Sequence, residues 1–193
     1  MMKFEIYIAE EKDLVYLDDI EQGILSASKV KGTGIAVRDR DYLSKKILEG
    51  KAIIAVHSDG TWAGFCYIES WGHNKFVANS GLVVNPDFRG QGLASSIKAK
   101  ALELSARLFP EARLFGLTTS LAVMKINSSL GYHPVTFSEL TTDDDFWKGC
   151  QTCPYYDILV RTRRTQCLCT AMLKQSPAEE KEAKGRKKNS KAA

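Results

Sequence analysis

Polar and apolar residues alternate from Lys3 to Ala9, with Phe4, Ile6 and Ile8 on one face, which predicts a strand. From Glu11 to about Ala27 the apolar positions Leu14, Leu17, Ile20, Ile24 and Leu25 recur at helical spacing. The run Lys29-Val-Lys-Gly-Thr-Gly34 breaks that period. A second helix is predicted near Asp39 to Leu48, with Tyr42, Leu43, Ile47 and Leu48 on one side and Gly50 as its stop. The period then changes to strand. Ala52 to Val56 and Trp62 to Ile68 read as a hairpin about Ser58-Asp59-Gly60. After a turn at Trp71-Gly-His-Asn74, a third strand runs from Phe76 to Val84 and stops before Pro86. Leu93, Ile97, Ala101, Leu104 and Leu108 trace the clearest helix, closed by Pro110, with Lys98, Lys100, Glu103 and Arg107 off its apolar stripe. Leu114 to Leu117 is predicted as a buried strand, Leu121 to Leu130 as a helix ending at Gly131, and Pro134 to Phe137 as a further strand. Hairpins and crossovers in that order predict an α/β (α+β) fold. Its central sheet is mixed, mostly antiparallel, with helices on both faces.

Composition narrows the class. At 193 residues, 44% hydrophobic and 26% charged, the chain is long enough for one domain with a core of its own, and too apolar for wholesale disorder. Apolar runs such as Ala52 to Val56 fall far short of the roughly 18 residues of a transmembrane helix. No secretory signal is read at Met1-Met2-Lys3-Phe4-Glu5, so a cytoplasmic protein is expected, with no membrane partner. The net charge of +4 resides mostly in residues 177–193. That mixed-charge tail reads as a solvated, disordered end from about residue 177, the last part of an extension covering 166–193 beyond a domain at 1–165. A nucleic-acid role would rest only on this tail and on Arg161-Thr-Arg-Arg164, and is not expected. A homodimer is left open.

Five cysteines without a secretory signal argue for reduced thiols. Cys66, in an apolar segment, reads as a small core residue. Cys150-x-x-Cys153 and Cys167-x-Cys169 invite zinc or redox readings, yet the second gap departs from the usual two-residue spacing. Unligated thiols, and no metal, are the simpler expectation.

The informative stretch is Leu82-Val-Val-Asn-Pro-Asp-Phe-Arg-Gly-Gln-Gly-Leu-Ala94, between a strand and the best helix. Gly90 and Gly92 allow close approach of backbone to a ligand, and the helix start near Leu93 offers unpaired N–H groups at a positive dipole end. That is an anion site, with Arg89 beside it. Arg89-Gly-Gln-Gly92-Leu-Ala94, preceded by Val84-Asn-Pro-Asp-Phe88, closely resembles the acyl-CoA-binding motif of the GNAT acyltransferase superfamily. The element order up to about Val160 fits as well. The resemblance implies a GNAT fold and an N-acyltransferase with acetyl-CoA or another acyl-CoA as co-substrate. Val83 and Val84 would hold the pantetheine arm by backbone hydrogen bonds, and a strand N–H near Leu82 or Val83 would offer an oxyanion donor. Arg89, Gly90, Gln91, Gly92, Leu93 and Ala94 would wrap the pyrophosphate.

Two family features are altered. The tyrosine that commonly protonates the departing thiolate, four residues before the glycine of a Gly-Phe signature, is replaced by Asn127 ahead of Gly131-Tyr132. An amide donates a hydrogen bond but no titratable proton. The glutamate often found on the strand before the loop is also absent, since Ala78, Asn79 and Ser80 stand there. Glu69 and His73, flanking the preceding turn, are the candidate bases, with Tyr132 and Tyr155 as weaker acid candidates. The acceptor is expected between the first helices and the far end of the sheet. Lys29, Lys31 and Lys125 would meet an anionic acceptor there. Beyond Tyr132, the run Glu139-Leu-Thr-Thr-Asp-Asp-Asp-Phe-Trp-Lys-Gly-Cys-Gln-Thr-Cys-Pro-Tyr-Tyr-Asp157 resembles the C-terminal part of short glutamate N-acetyltransferases of arginine biosynthesis. That narrower likeness implies a small-molecule amine, the α-amino group of an amino acid such as glutamate, taking an acetyl or succinyl group by direct attack in a ternary complex. A protein, antibiotic or polyamine acceptor, or a CoA-binding module without turnover, are the alternatives.

Overall fold

A computed structural model describes residues 3–189. Strand β1 (Phe4–Ile8) leads into a short 3-10 segment and helices α1 (Leu17–Ser28) and α2 (Arg40–Leu48). Asp39 caps α2 by accepting from the Tyr42 N–H at 2.8 Å. Strands β2 (Ala52–His57), β3 (Trp62–Trp71) and β4 (Phe76–Val84) form the meander. Helix α3 (Leu93–Leu108), strand β5 (Arg113–Thr118), helix α4 (Leu121–Ser129) and strand β6 (His133–Val135) follow. Helices α5 (Asp144–Lys148) and α6 (Tyr156–Arg161), strand β7 (Thr170–Lys174) and helix α7 (Pro177–Asn189) complete the order.

One seven-stranded sheet runs β1-β2-β3-β4-β5-β7-β6, and only the β4–β5 pair is parallel. The alternation read in the sequence divides its two faces. Ile53 and Ala55 of β2 bury against α3 through Leu93, Ile97, Ala101 and Leu104. Ala52, Ile54 and Val56 face Ile20 and Ile24 of α1 and Leu43 and Ile47 of α2. A third cluster, with Phe115, Trp147, Leu159 and Leu173, packs the later helices on the far half of the sheet.

Three expectations are corrected. The domain does not end at residue 165, because β7 lies between β5 and β6 and pairs with both, Leu114↔Lys174 and His133↔Leu173 among the registers. Nor is the tail disordered from 177. Ser176 and Glu179 cap α7 reciprocally, the Glu179 N–H donating to Ser176 Oγ at 3.1 Å and the Ser176 N–H to Glu179 Oε2 at 2.9 Å, while Arg113 of β5 binds Glu179 at 2.7 Å. The remaining tail residues, 190–193, lie outside the described residues. Lys98, expected on the outer side of α3, is instead 2% exposed. No helix among the described residues is long and apolar enough to cross a membrane.

Candidate active site

The β4–β5 ladder stops at Ala78↔Phe115, although β4 continues to Val84 and β5 to Thr118. The two strands part there, and the split opens a cavity of about 210 Å³. A bulge in β4 helps to set it. The β3 register jumps between Phe65↔Val83 and Tyr67↔Ser80, and Gly81 sits at φ +65°. A Cβ at Gly81 would lie 2.5 Å from Tyr67 Cε1, so both conformation and space require glycine.

Below the split, β4 turns through Asn85-Pro86 into the loop. Asn85 Oδ1 accepts from the Asp87 N–H at 3.1 Å and its Nδ2 donates to the Trp62 carbonyl at 2.9 Å, which fixes the exit. Gly92 is the N-cap of α3 in the left-handed region, and among the described residues nothing but the chain neighbours lies within 4 Å of the Cβ position at either Gly90 or Gly92. The loop thus leaves room above the first turn of a 16-residue helix whose cap supplies no side-chain acceptor. Arg89 is exposed, and its side chain donates through Nε to the Val84 carbonyl at 3.3 Å. Gln91 is held by Lys3, Nζ to Oε1 at 2.7 Å. These residues fit a pyrophosphate. Leu82 lines the cavity, and Val83 and Val84 continue β4 from it toward the loop.

Asn127 is drawn inside. It is 1% exposed, lines the cavity and donates through Nδ2 to Met172 Sδ at 3.6 Å, while its Oδ1 has no partner. The opposite wall comes from the α1–α2 connection and from the segment around α5 and α6. The Gly34 N–H donates to Thr119 Oγ1 at 2.9 Å, Thr152 Oγ1 donates to the Val37 carbonyl at 2.9 Å, and Arg38 Nη1 donates to the Gly149 carbonyl at 2.8 Å. These bonds fasten the connection across the mouth. Cys150, Cys153, Cys167 and Cys169 line this same wall as free thiols. Burial pushes the Cys150 thiol up to about 11, so it stays protonated at neutral pH.

Charge is distributed unevenly here. Arg38 and Lys98 line the cavity, and among the described residues no Asp or Glu does. Neither cation forms an ion pair among the described residues. The residues expected to supply base and acceptor contacts lie elsewhere. Glu69 is ion-paired with buried Lys46 and accepts from Tyr42 Oη at 3.0 Å, so its carboxylate is committed, and it does not line the cavity. His73 is exposed on the β3–β4 turn, and Lys29, Lys31 and Lys125 are exposed on their segments; none lines the cavity. Tyr132 is buried, its hydroxyl donating to Asn79 Oδ1 at 3.0 Å, and Tyr155 lines the cavity. Arg38 lies seven residues beyond Lys31 in the α1–α2 connection, and its position depends on a contact more than a hundred residues away, with Gly149. Lys98 carried no local signal, because a lysine on an amphipathic helix ordinarily faces water.

A sequence model of the acetyltransferase (GNAT) family matches residues 25–123, and the chain belongs to that family. It is an N-acyltransferase that takes its acyl group from acyl-CoA. No curated protein sequence matches the chain. Among solved structures, Rv2747 of Mycobacterium tuberculosis in complex with CoA superposes with a TM-score of 0.64 at 16% identity, over 89% of this chain and 98% of that one. N-acetylglutamate synthase of Neisseria gonorrhoeae, complexed with coenzyme A and N-acetyl-glutamate, gives 0.64 at 16% identity over 91% of this chain, which spans 36% of that longer enzyme. A phosphinothricin acetyltransferase of Sinorhizobium meliloti in complex with AcCoA gives 0.62 at 12% identity, over 91% and 89%. At these identities the likeness is one of fold.

Proposed function

We propose that the chain transfers an acyl group from acyl-CoA to the amine of a small acceptor that carries a carboxylate, an amino acid such as glutamate. The observation that carries this reading is the charge of the cavity, lined among the described residues by Arg38 and Lys98 and by no carboxylate. The Arg38 guanidinium is held by the Val37 and Gly149 carbonyls and by the neighbouring Tyr42 and Tyr67 side chains, none of which is a carboxylate, so its charge is left for an anionic acceptor. A polyamine or a lysine-rich peptide would meet repulsion at the same wall. The bound N-acetyl-glutamate of the Neisseria enzyme agrees with this choice of acceptor.

In this reading Arg89 to Ala94 bind the pyrophosphate and Leu82 to Val84 the pantetheine arm. Attack is direct, with positioning and backbone N–H groups of β4 supplying most of the rate enhancement. The test is release of CoA thiol from acetyl-CoA and, separately, succinyl-CoA, across amino acids, polyamines and a lysine peptide. Release that depends on a carboxylate-bearing amine is the expected result. Release with polyamines alone overturns the acceptor assignment, and CoA binding without release to any acceptor makes the chain a binding module.

A further inference from the structure

Lys98 is a buried cation with no ion pair among the described residues. It stands in the second turn of α3, six residues past Gly92 and therefore about 9 Å along the helix from the anion loop. Its Nζ is 3.3 Å from Asn79 Oδ1 and 5.5 Å from the centre of the Tyr132 ring. Asn79 is the hub of this cluster, since its Oδ1 also accepts from Tyr132 and its Nδ2 donates to Ser105 Oγ at 3.2 Å. Every contact here is with a neutral partner. The titratable groups that face the ammonium are Cys66 of β3 and Tyr132, and burial pushes the Cys66 thiol up to about 11 and the Tyr132 phenol upward as well. Both remain uncharged when Lys98 is protonated.

An ammonium buried without a counter-charge is costly, and an apolar side chain would fill the same space on α3 at less cost. Packing therefore does not explain the lysine. What distinguishes its position is the cavity it borders, where β4 and β5 part and where Asn127 presents an unpartnered acceptor but no exchangeable acid. A thiolate formed in that split would supply the missing negative charge.

We propose that Lys98 is the proton donor to the departing CoA sulfur. The acceptor nitrogen bonds to the acyl carbon, and the carbon–sulfur bond breaks with its electron pair going to sulfur. The Lys98 ammonium gives that sulfur a proton, and the neutral Nζ then takes up the proton lost by the attacking amine. Atoms and charge balance over the cycle, and the lysine is restored. Burial, the main influence on Lys98, lowers its pKa toward the range in which both transfers are feasible.

This inference rests on acyl transfer and on the acyl-CoA contacts proposed for β4 and α3, not on the choice of acceptor, and the test separates them. CoA is bound to the wild type and to Lys98→Met, and its thiol is titrated by ultraviolet thiolate absorbance, with the matching desulfo-CoA complex subtracted to remove the protein's own cysteines. The bound thiol is expected to ionise about one pH unit lower on the wild type than on the variant. With acetyl-CoA, turnover of the variant should fall about a hundredfold while CoA affinity changes less than about twofold. Coincident thiol titrations overturn the proposal. So does a loss confined to succinyl-CoA, which would make Lys98 a contact for the acyl chain. If Lys98→Met does not fold, Lys98→Gln is read in the same titration.

Discussion

Arg38 and Gly149 stand 111 residues apart in the chain, yet Arg38 Nη1 donates to the Gly149 carbonyl at 2.8 Å and Nη2 lies 2.9 Å from where a Cβ at position 149 would be. The glycine therefore does two things. Its carbonyl aims the guanidinium at the cavity, and its missing side chain leaves the space that the guanidinium fills. Removing the cation by Arg38→Ala is expected to raise the KM of a carboxylate-bearing acceptor about tenfold or more, with the CoA dissociation constant unchanged. Gly149→Ala should move acceptor KM in the same direction by displacing Arg38, without deleting any charge. Steady-state kinetics at saturating acyl-CoA checks both, and an unchanged KM in Arg38→Ala removes Arg38 from the acceptor site.

Arg89→Ala should act on the other substrate. The Arg89 side chain makes one long hydrogen bond among the described residues, to the end of β4, so its loss disturbs little within the protein. CoA affinity measured by calorimetry is expected to fall about tenfold or more, the usual worth of a charge-assisted phosphate contact. Acceptor KM should not move.

The β4 bulge can be probed through stability. Gly81→Ala places a methyl against the buried Tyr67 ring at a backbone φ of +65°, and is expected to cost about 2–4 kcal/mol in urea unfolding. Gly90→Ala, at φ +74° with open space around it, should cost only about 1 kcal/mol. A Gly81→Ala variant as stable as Gly90→Ala would mean that the bulge relaxes easily.

Asp143 links the β3–β4 turn to α5. Its Oδ2 accepts from the Gly72 N–H at 2.9 Å and its Oδ1 from the Asp145 N–H at 3.0 Å, and the Gly72 bond chiefly holds its carboxyl below the usual carboxylate range. A depressed native pKa adds stability that is present above the unfolded value of about 3.9 and is lost as pH falls through the lower native value. Asp143→Ala should therefore cost about 1 kcal/mol at neutral pH, and the gap from the wild type should narrow below about pH 4. Chemical denaturation at neutral and acid pH measures that difference.

Much of this molecule is legible locally. The stripe Leu93, Ile97, Ala101, Leu104 faces the core as its spacing requires, and the turn at Asn85-Pro86 and the left-handed Gly90 and Gly92 follow from backbone chemistry within a few residues. What escaped was set by distant partners. Thr170 to Lys174 is five residues long, and its place in the sheet depends on β5 and β6 rather than on a neighbouring hairpin. Lys98 belongs to the same class, buried because Asn79 and Tyr132 receive it. Arg38 reaches its position through Gly149. The capping box Ser176-Pro-Ala-Glu179 is different, because its signal is local and the low apolar content of the segment outweighed it.

The insertion of β7 between β5 and β6 also bears on how the chain is made. More than fifty residues separate the end of β5 from the start of β7, which at ribosomal rates is about 3–10 s of synthesis. Throughout that interval β5 presents an open edge, and Met172, the partner of Asn127, has yet to be made. A nascent chain paused before residue 170 would therefore hold the anion loop and α3 with the cavity wall half built. The first half can pair before β7 exists, while the pocket closes only once residues 170–174 have been added between β5 and β6.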